Sequence, residues 1–300
     1  MRWLPRVADP IALDTAWLKA HPLPDHHDNI DKNGRGRVLL IGGCRRVPGG
    51  MLLTAEAAFR AGAGKVTIAT IASAAIAIGV ACPACAIVAL PETATGEIAP
   101  ESADLLLAEI AGHDAIVFGP AMIDEDIVRQ LLAALLPALP DDMFLLLDAA
   151  ALRAASEHAE FISARSAHTV LTPHAGELAA MLGVDTDSVT RDPLGALVQA
   201  AERYGAAVMV KGATSHVQGE GTCLAYAGGG LGLAVSGSGD VLAGLIAGLG
   251  AQGLSPLRAA AWGIWLHGEA GRRLAETMGP IGYLPRELAP LAPGLMRGVQ

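Results

Sequence analysis

Short apolar runs alternate with amphipathic stretches along most of this chain. Residues 38–41, 66–69, 86–90, 115–118, 144–147, 169–171 and 208–210 are short, largely apolar runs, the pattern of strands buried on both faces. Between them, residues 52–61, 105–111, 127–136, 177–182 and 194–204 repeat apolar positions at helical spacing. A strand-then-helix rhythm predicts an α/β fold: a mostly parallel sheet with helices on both faces and ligands at the carboxyl ends of its strands. Later the rhythm changes. Residues 215–217 and 223–226 flank Gln218-Gly219-Glu220-Gly221, which predicts a hairpin, and helices over 240–250 and 256–271 follow. Residues 71–90 carry no charge and are long enough to span a bilayer, but Ala dominates them and Gly79 and Pro83 interrupt them. They are read as a helix followed by a buried strand.

The chain has 300 residues and no linker or internal repeat, so one large α/β domain over 1–300 is expected. With 52% hydrophobic and 17% charged residues it has ample material for a core. Aromatic residues at 4% and a net charge of -9 argue against nucleic-acid binding, so a small anionic ligand has to be held locally. Cys44, Cys82, Cys85 and Cys223 are too few and scattered for a disulfide framework and are expected as buried thiols in a reducing cytoplasm. The first residues lead to Asp9-Pro10 rather than an apolar signal region, so neither secretion nor a membrane partner is expected. His26-His27-Asp28 lacks a matched metal partner and reads as a solvated loop.

The chemistry concentrates in Ser236-Gly237-Ser238-Gly239-Asp240, which runs into an apolar helix. Small residues let the backbone turn with its N–H groups exposed, and the helix start adds a positive dipole end, so this is a place for a phosphate. Asp240 suits an N-cap, and beside a phosphate it can also take a proton from a substrate hydroxyl. Further polar residues fall at strand ends. Gly42-Gly43 and Gly49-Gly50 bracket a loop after the first strand, without the spacing of a dinucleotide fingerprint. Gly119-Pro120 and Asp148 follow two other strands, Asp148 equally suited to cap the next helix. In Thr172-Pro173-His174-Ala175-Gly176-Glu177, His174 can donate to an oxygen of substrate or phosphate and Glu177 can hold a magnesium-bound water, though both also suit a helix opening. Lys211-Gly212 suits phosphate contact. His267, between apolar neighbours, reads as a packed core histidine. Neither a serine-hydrolase elbow nor a P-loop is present.

Residues 36–43, Arg60-Ala61-Gly62-Ala63-Gly64-Lys65-Val66-Thr67, residues 171–177, Val210-Lys211-Gly212-Ala213 and residues 236–243 together resemble the ADP- or ATP-dependent NAD(P)H-hydrate dehydratases, in order from about residue 33 to about residue 271. The resemblance implies a ribokinase-like three-layer α/β/α fold with a mostly parallel central sheet. It implies nucleotide-dependent dehydration of the S epimer of hydrated NADH or NADPH, with magnesium as cofactor. By position it puts the nucleotide on Lys211, Gly212, Ala213, Thr214, Ser215, Gly237, Ser238 and Gly239, and the substrate on Gly50, Gly119, Asp148, His174 and Asp240, with Asp240 catalytic and Glu177 near magnesium. Relatives form homo-oligomers, and many carry an epimerase domain. Here residues 1–32 are expected as an amino-terminal extension and the epimerase as a separate chain. The family motifs are altered at Ala121, Ile123, Ala150, Gly230, Leu231 and Val235. A ribokinase-like kinase of a small-molecule alcohol, or a nucleotide-binding paralogue without catalysis, fits the same nest, and the donor (ADP or ATP) and the coenzyme (NADH or NADPH hydrate) stay open.

Overall fold

Among the described residues ten strands form one sheet in the order β1-β10-β9-β8-β7-β6-β5-β2-β3-β4. The computed structural model describes residues 9–25 and 31–299; the His26-His27-Asp28 segment lies outside the described residues. The strands are β1 (Ile11–Ala12), β2 (Arg37–Ile41), β3 (Lys65–Ile71), β4 (Ala86–Leu90), β5 (Ala115–Phe118), β6 (Phe144–Leu147), β7 (Thr169–Leu171), β8 (Ala207–Val210), β9 (Ser215–Gly219) and β10 (Thr222–Tyr226). All neighbours run parallel except β9, which is antiparallel to β8 and β10. Every residue of β5, β6, β7 and β8 is buried, which is why these segments read as unbroken apolar runs.

The helices are α1 (Thr15–Ala20), α2 (Gly50–Arg60), α3 (Ala72–Ala81), α4 (Ala103–Ile110), α5 (Glu125–Leu135), α6 (Ala150–Ala154), α7 (Ala159–Ala164), α8 (Ala175–Leu182), α9 (Thr186–Arg191), α10 (Pro193–Tyr204), α11 (Ser238–Gly250), α12 (Pro256–Met278) and α13 (Ala292–Val299). Helices α10 and α12 both pack on β8 and β9, from opposite faces, so the sheet is the middle of three layers. Helix α11 lies on β5 and β6 and runs against α2. That contact is close because glycines make it: a Cβ on Gly244 would fall 2.1 Å from the Thr54 carbonyl oxygen, and one on Gly248 would fall 2.5 Å from that of Ala58.

The hairpin forms with a two-residue turn, Glu220 and Gly221 both at positive φ (51° and 74°), the geometry that matches strand twist. Glu220 then accepts a hydrogen bond from Leu257 N at 3.3 Å, tying the turn to the first residues of α12. Three expectations need correcting. The strand after α3 is not buried: β4 is the sheet's outer strand and only Leu90 is enclosed, because a run of apolar residues cannot say whether a second neighbour exists. Helix α12 passes Gly271 and continues to Met278, since Leu233 occupies the place of a side chain at 271 and Arg272 pairs with Glu269 and Glu276 along the helix. Cys82 and Cys85 are half-buried rather than core, with burial, then the hydrogen bond from Cys82, pushing the Cys85 thiol up and away from thiolate chemistry. Among the described residues no helix is long and apolar enough to cross a membrane.

Candidate active site

Four loops leave the sheet side by side. Ile41, Phe118, Leu147 and Leu171 are paired across one row, so Gly42, Gly119, Asp148 and Thr172 follow them at a common edge. The chain moves from β2 outward to β3 and β4 and then returns to β5 on the other side of β2, which places a topological switch point between β2 and β5. Residues 42–50 and Gly119 border that crevice. A larger cavity of about 870 Å³ opens at the amino ends of β2, β5 and β6, the edge where such sheets do not hold their ligands.

Asp148 is buried and accepts from Thr172 Oγ1 at 2.7 Å and from Lys211 Nζ at 3.1 Å. It does not cap the next helix; Ala149, at φ 51°, stands at that position, and the carboxylate is turned to Lys211 instead. Gly119 makes room for this, since a Cβ there would meet the Asp148 carbonyl oxygen at 2.1 Å. Lys211 Nζ also lies 4.0 Å from Glu177 Oε2. Burial opposes the lysine's charge, but Asp148, Glu177 and Asp240 outweigh it and hold its pKa above the ordinary value. Burial, reinforced by Asp148 against the pull of Lys211, raises Glu177 as well.

His174 opens α8 as its N-cap. Its Nδ1 accepts from Gly176 N at 3.0 Å and Glu177 N at 3.3 Å, while Glu177 Oε2 accepts from His174 N at 2.8 Å, a reciprocal capping box. The cap has a chemical consequence. With Nδ1 spent as an acceptor, the proton of the neutral ring sits on Nε2, on a side chain that is 56% exposed. The helix-opening role and the donor role are thus the same geometry seen from two nitrogens.

Helix α11 begins at Ser238 with Gly237 as its N-cap, in the left-handed region at φ 91°. Asp240 is therefore not the N-cap; it is the third helical residue, and its side chain is free for another task. No side chain caps this helix, and although Ser238 N donates to the Val235 carbonyl at 3.2 Å, the N–H groups of Gly239 and Asp240 keep their capacity for an anion. Asp240 Oδ2 lies 3.0 Å from where a Cβ on Gly50 would stand, so the loop before α2 closes directly onto the carboxylate. Burial first, then the Asp148 charge, opposed by Lys211, pushes Asp240 up to about 6.

From Lys211 and Gly239 a cavity of about 740 Å³ extends between the turn after β8, the 3₁₀ turn Leu231–Leu233 and α12. Gly212, Ala213, Ser215 and Ser238 lie on its wall. Thr214 is exposed in the same turn but is not on the wall, and Gly237 makes the bend beside it, against Leu53 and Pro285. Leu231, 78% exposed, forms an apolar rim. His267 differs from its reading as packed core. It lines this cavity with Nε2 2.9 Å from Ser238 Oγ and 3.0 Å from Ser238 O, and burial pushes it down to about 4, so it is neutral and fixes the start of α11. The sequence signal for it is a polar residue directly after the apolar stretch 262–266. Ala121, where the family motif has glycine, holds φ 57° with its Cβ 3.0 Å from the place of a Gly50 side chain.

The sequence of residues 38–293 matches the model of a family described as NAD(P)H-hydrate dehydratase. Over 284 residues the chain is 42% identical to the ADP-dependent (S)-NAD(P)H-hydrate dehydratase of Xanthomonas campestris, covering 94% of each protein. It is 33% identical to the bifunctional NAD(P)H-hydrate repair enzyme of Moorella thermoacetica across 96% of this chain, and spans about half of that longer protein, 54%. Among solved structures, a ribokinase-like superfamily protein of Enterococcus faecalis superposes with a TM-score of 0.84 at 24% identity, covering 100% of this chain and 99% of that one. The ADP/ATP-dependent NAD(P)H-hydrate dehydratase of Bacillus subtilis, co-crystallised with ATP and magnesium, superposes with a TM-score of 0.79 at 23% identity, covering 97% and 99%. These two likenesses establish the ribokinase-like fold. By family-model match and sequence identity, the chain belongs to the NAD(P)H-hydrate dehydratase family.

Proposed function

We propose that the protein dehydrates the S epimer of hydrated NADH or NADPH at the expense of a nucleoside diphosphate or triphosphate. The terminal phosphoryl group lies against the start of α11 and Lys211, the nucleoside extends along the cavity beneath Leu231, and the hydrated nicotinamide sits between Gly50, Gly119, Asp148, His174 and Asp240. The observation that carries this reading is Asp240: an acid held at about 6, at an uncapped helix start, pressed against the Gly49-Gly50 loop. A base of that strength is ionised at neutral pH and still accepts a proton readily.

Asp240 removes the hydroxyl proton as the substrate oxygen takes the terminal phosphoryl group. Lys211 and the N–H groups of Gly239 and Asp240 bear the phosphate charge through the transfer. Hydroxide is a poor leaving group and phosphate a good one, so the ring nitrogen's lone pair then expels phosphate, and a ring proton lost from the neighbouring carbon restores the double bond. The sum is hydrated coenzyme plus ADP giving coenzyme, AMP, phosphate and a proton released to solvent, or the corresponding set from ATP. His174 Nε2–H, exposed although 3.5 Å from Glu177 Oε1, can steady a substrate oxygen. Among the described residues no three His, Cys, Asp or Glu side chains gather as a metal cluster. Magnesium typically keeps its waters, takes one or two carboxylates and rests on substrate phosphates, and Asp148 and Glu177 beside Lys211 fit that outer role. When bound there it neutralises phosphate charge.

Incubation of the protein with hydrated NADH, magnesium and ADP or ATP tests the reading. Absorbance of the reduced nicotinamide returns, with one phosphate released per coenzyme; a flat trace from folded protein rejects it.

A further inference from the structure

A third, smaller cavity, about 340 Å³, begins where the loop before α2 turns away from Asp240. Gly49 lines it, and the next residue, Gly50, lies against the Asp240 carboxylate. Its walls are aliphatic: Leu52 from α2, Ile71 from the end of β3, and Ala74, Ala77 and Ile78 from one side of α3. Arg45 stands at the rim. Glu92 Oε1 at 3.0 Å and the Ala94 carbonyl at 3.1 Å orient its guanidinium, Ser73 Oγ donates to the other oxygen of Glu92 at 2.6 Å, and 52% of the arginine side chain stays exposed.

Nothing in the proposed chemistry uses this slot, yet the substrate class needs one. A hydrated nicotinamide dinucleotide is two nucleotides joined by an anionic diphosphate, and only one half reacts. The large cavity on the Lys211 side is spoken for by the phosphoryl donor, so the substrate's own adenine needs a different apolar surface within reach of Asp240. We propose that the slot between α2 and α3 receives the adenine end of the hydrated dinucleotide, with Arg45 facing the diphosphate. This rests on the dehydratase reading of the same site. A flat apolar ring suits walls of Leu, Ile and Ala, and a pre-oriented guanidinium suits phosphate oxygens in a chain of net charge -9. Binding of this remote half adds affinity equally before and during reaction, so it lowers KM without touching the reacting atoms.

The test compares hydrated NADH with hydrated reduced nicotinamide mononucleotide, which has the reacting ring but no adenylate half. Ala77→Phe fills the slot from an exposed position, so the fold is not at risk. In the wild type KM for the mononucleotide hydrate exceeds that for the dinucleotide roughly tenfold or more, and Ala77→Phe raises KM for the dinucleotide by a similar factor while leaving both kcat values and the mononucleotide KM unchanged. An unchanged dinucleotide KM overturns the proposal, and so does an equal rise for both substrates. Should the wild type dehydrate neither, the dehydratase reading fails separately. The slot is then judged by fluorescence titration of NADH with ADP saturating the other cavity: about tenfold weaker binding to Ala77→Phe supports it, and an unchanged Kd overturns it.

Discussion

At neutral pH a carboxyl group held at about 6 is ionised in roughly tenfold excess, and its basicity still exceeds that of an ordinary aspartate by about two orders of magnitude. Dehydration is therefore expected to show a kcat/KM that rises with pH through about 6 and levels off above 7, measurable from initial rates in constant ionic strength. Lys211 is the group that opposes the upward shift. Lys211→Met is expected to move the rising limb to higher pH and to raise the KM for nucleotide, a paired change that simple unfolding does not give. The same shift has a stability consequence. Because the folded-state pKa of Asp240 lies above its ordinary 3.8, the folded protein holds this proton more tightly than the unfolded chain, so its contribution to stability is present below pH 4 and lost as pH rises through 6. Asp240→Asn is expected to lower kcat about a hundredfold or more while stabilising the fold by about 1–3 kcal/mol at pH 8, a gain that thermal melts should show vanishing near pH 4. Of the site, Asp240, Lys211, His174 and Asp148 were legible because each directly follows a strand or opens a helix. Their mutual electrostatics were not, since the Asp148–Lys211 contact joins residues 63 apart, and neither was the His267–Ser238 contact, which joins residues 29 apart.

Helices α2 and α11 carry Gly50 and Asp240 at neighbouring ends, so the spacing between the two helices sets the spacing at the reacting centre. Gly244→Ala pushes a methyl group into the Thr54 carbonyl and is expected to cost more than about 2 kcal/mol and to lower kcat by separating those ends. Gly294→Ala, in α13 with open space around it, is the control: it is expected to be neutral or to stabilise by up to about 1 kcal/mol without altering rate, as chemical denaturation would register. The central strands could be read from sequence because burial on both faces removes polar residues from them. Two features escaped for a physical reason. β1 is a pair of exposed residues whose extended form comes from bonding to β10, and the outer position of β4 depends on which strands lie beside it rather than on its own composition.

Across the molecule, one sheet edge collects the loop before α2, the turns after β5 and β6, the α8 cap, the Lys211 turn and the start of α11, drawn from residues almost 200 positions apart. The α/β class followed from rhythm and its ribokinase-like form from the family resemblance, but this gathering depends on the reversal between β4 and β5, which no local pattern announces. ADP with magnesium at a hundred times its Kd is expected to add about 2.7 kcal/mol to stability by mass action, seen as a concentration-dependent rise in Tm. The central claim is that the substrate's hydroxyl oxygen is phosphorylated at Asp240 before it departs. Hydrated NADH carrying a heavy-oxygen label in that hydroxyl decides it by mass spectrometry of the products. The account predicts the label in the released phosphate; label recovered in water, with the phosphate unlabelled, would contradict it.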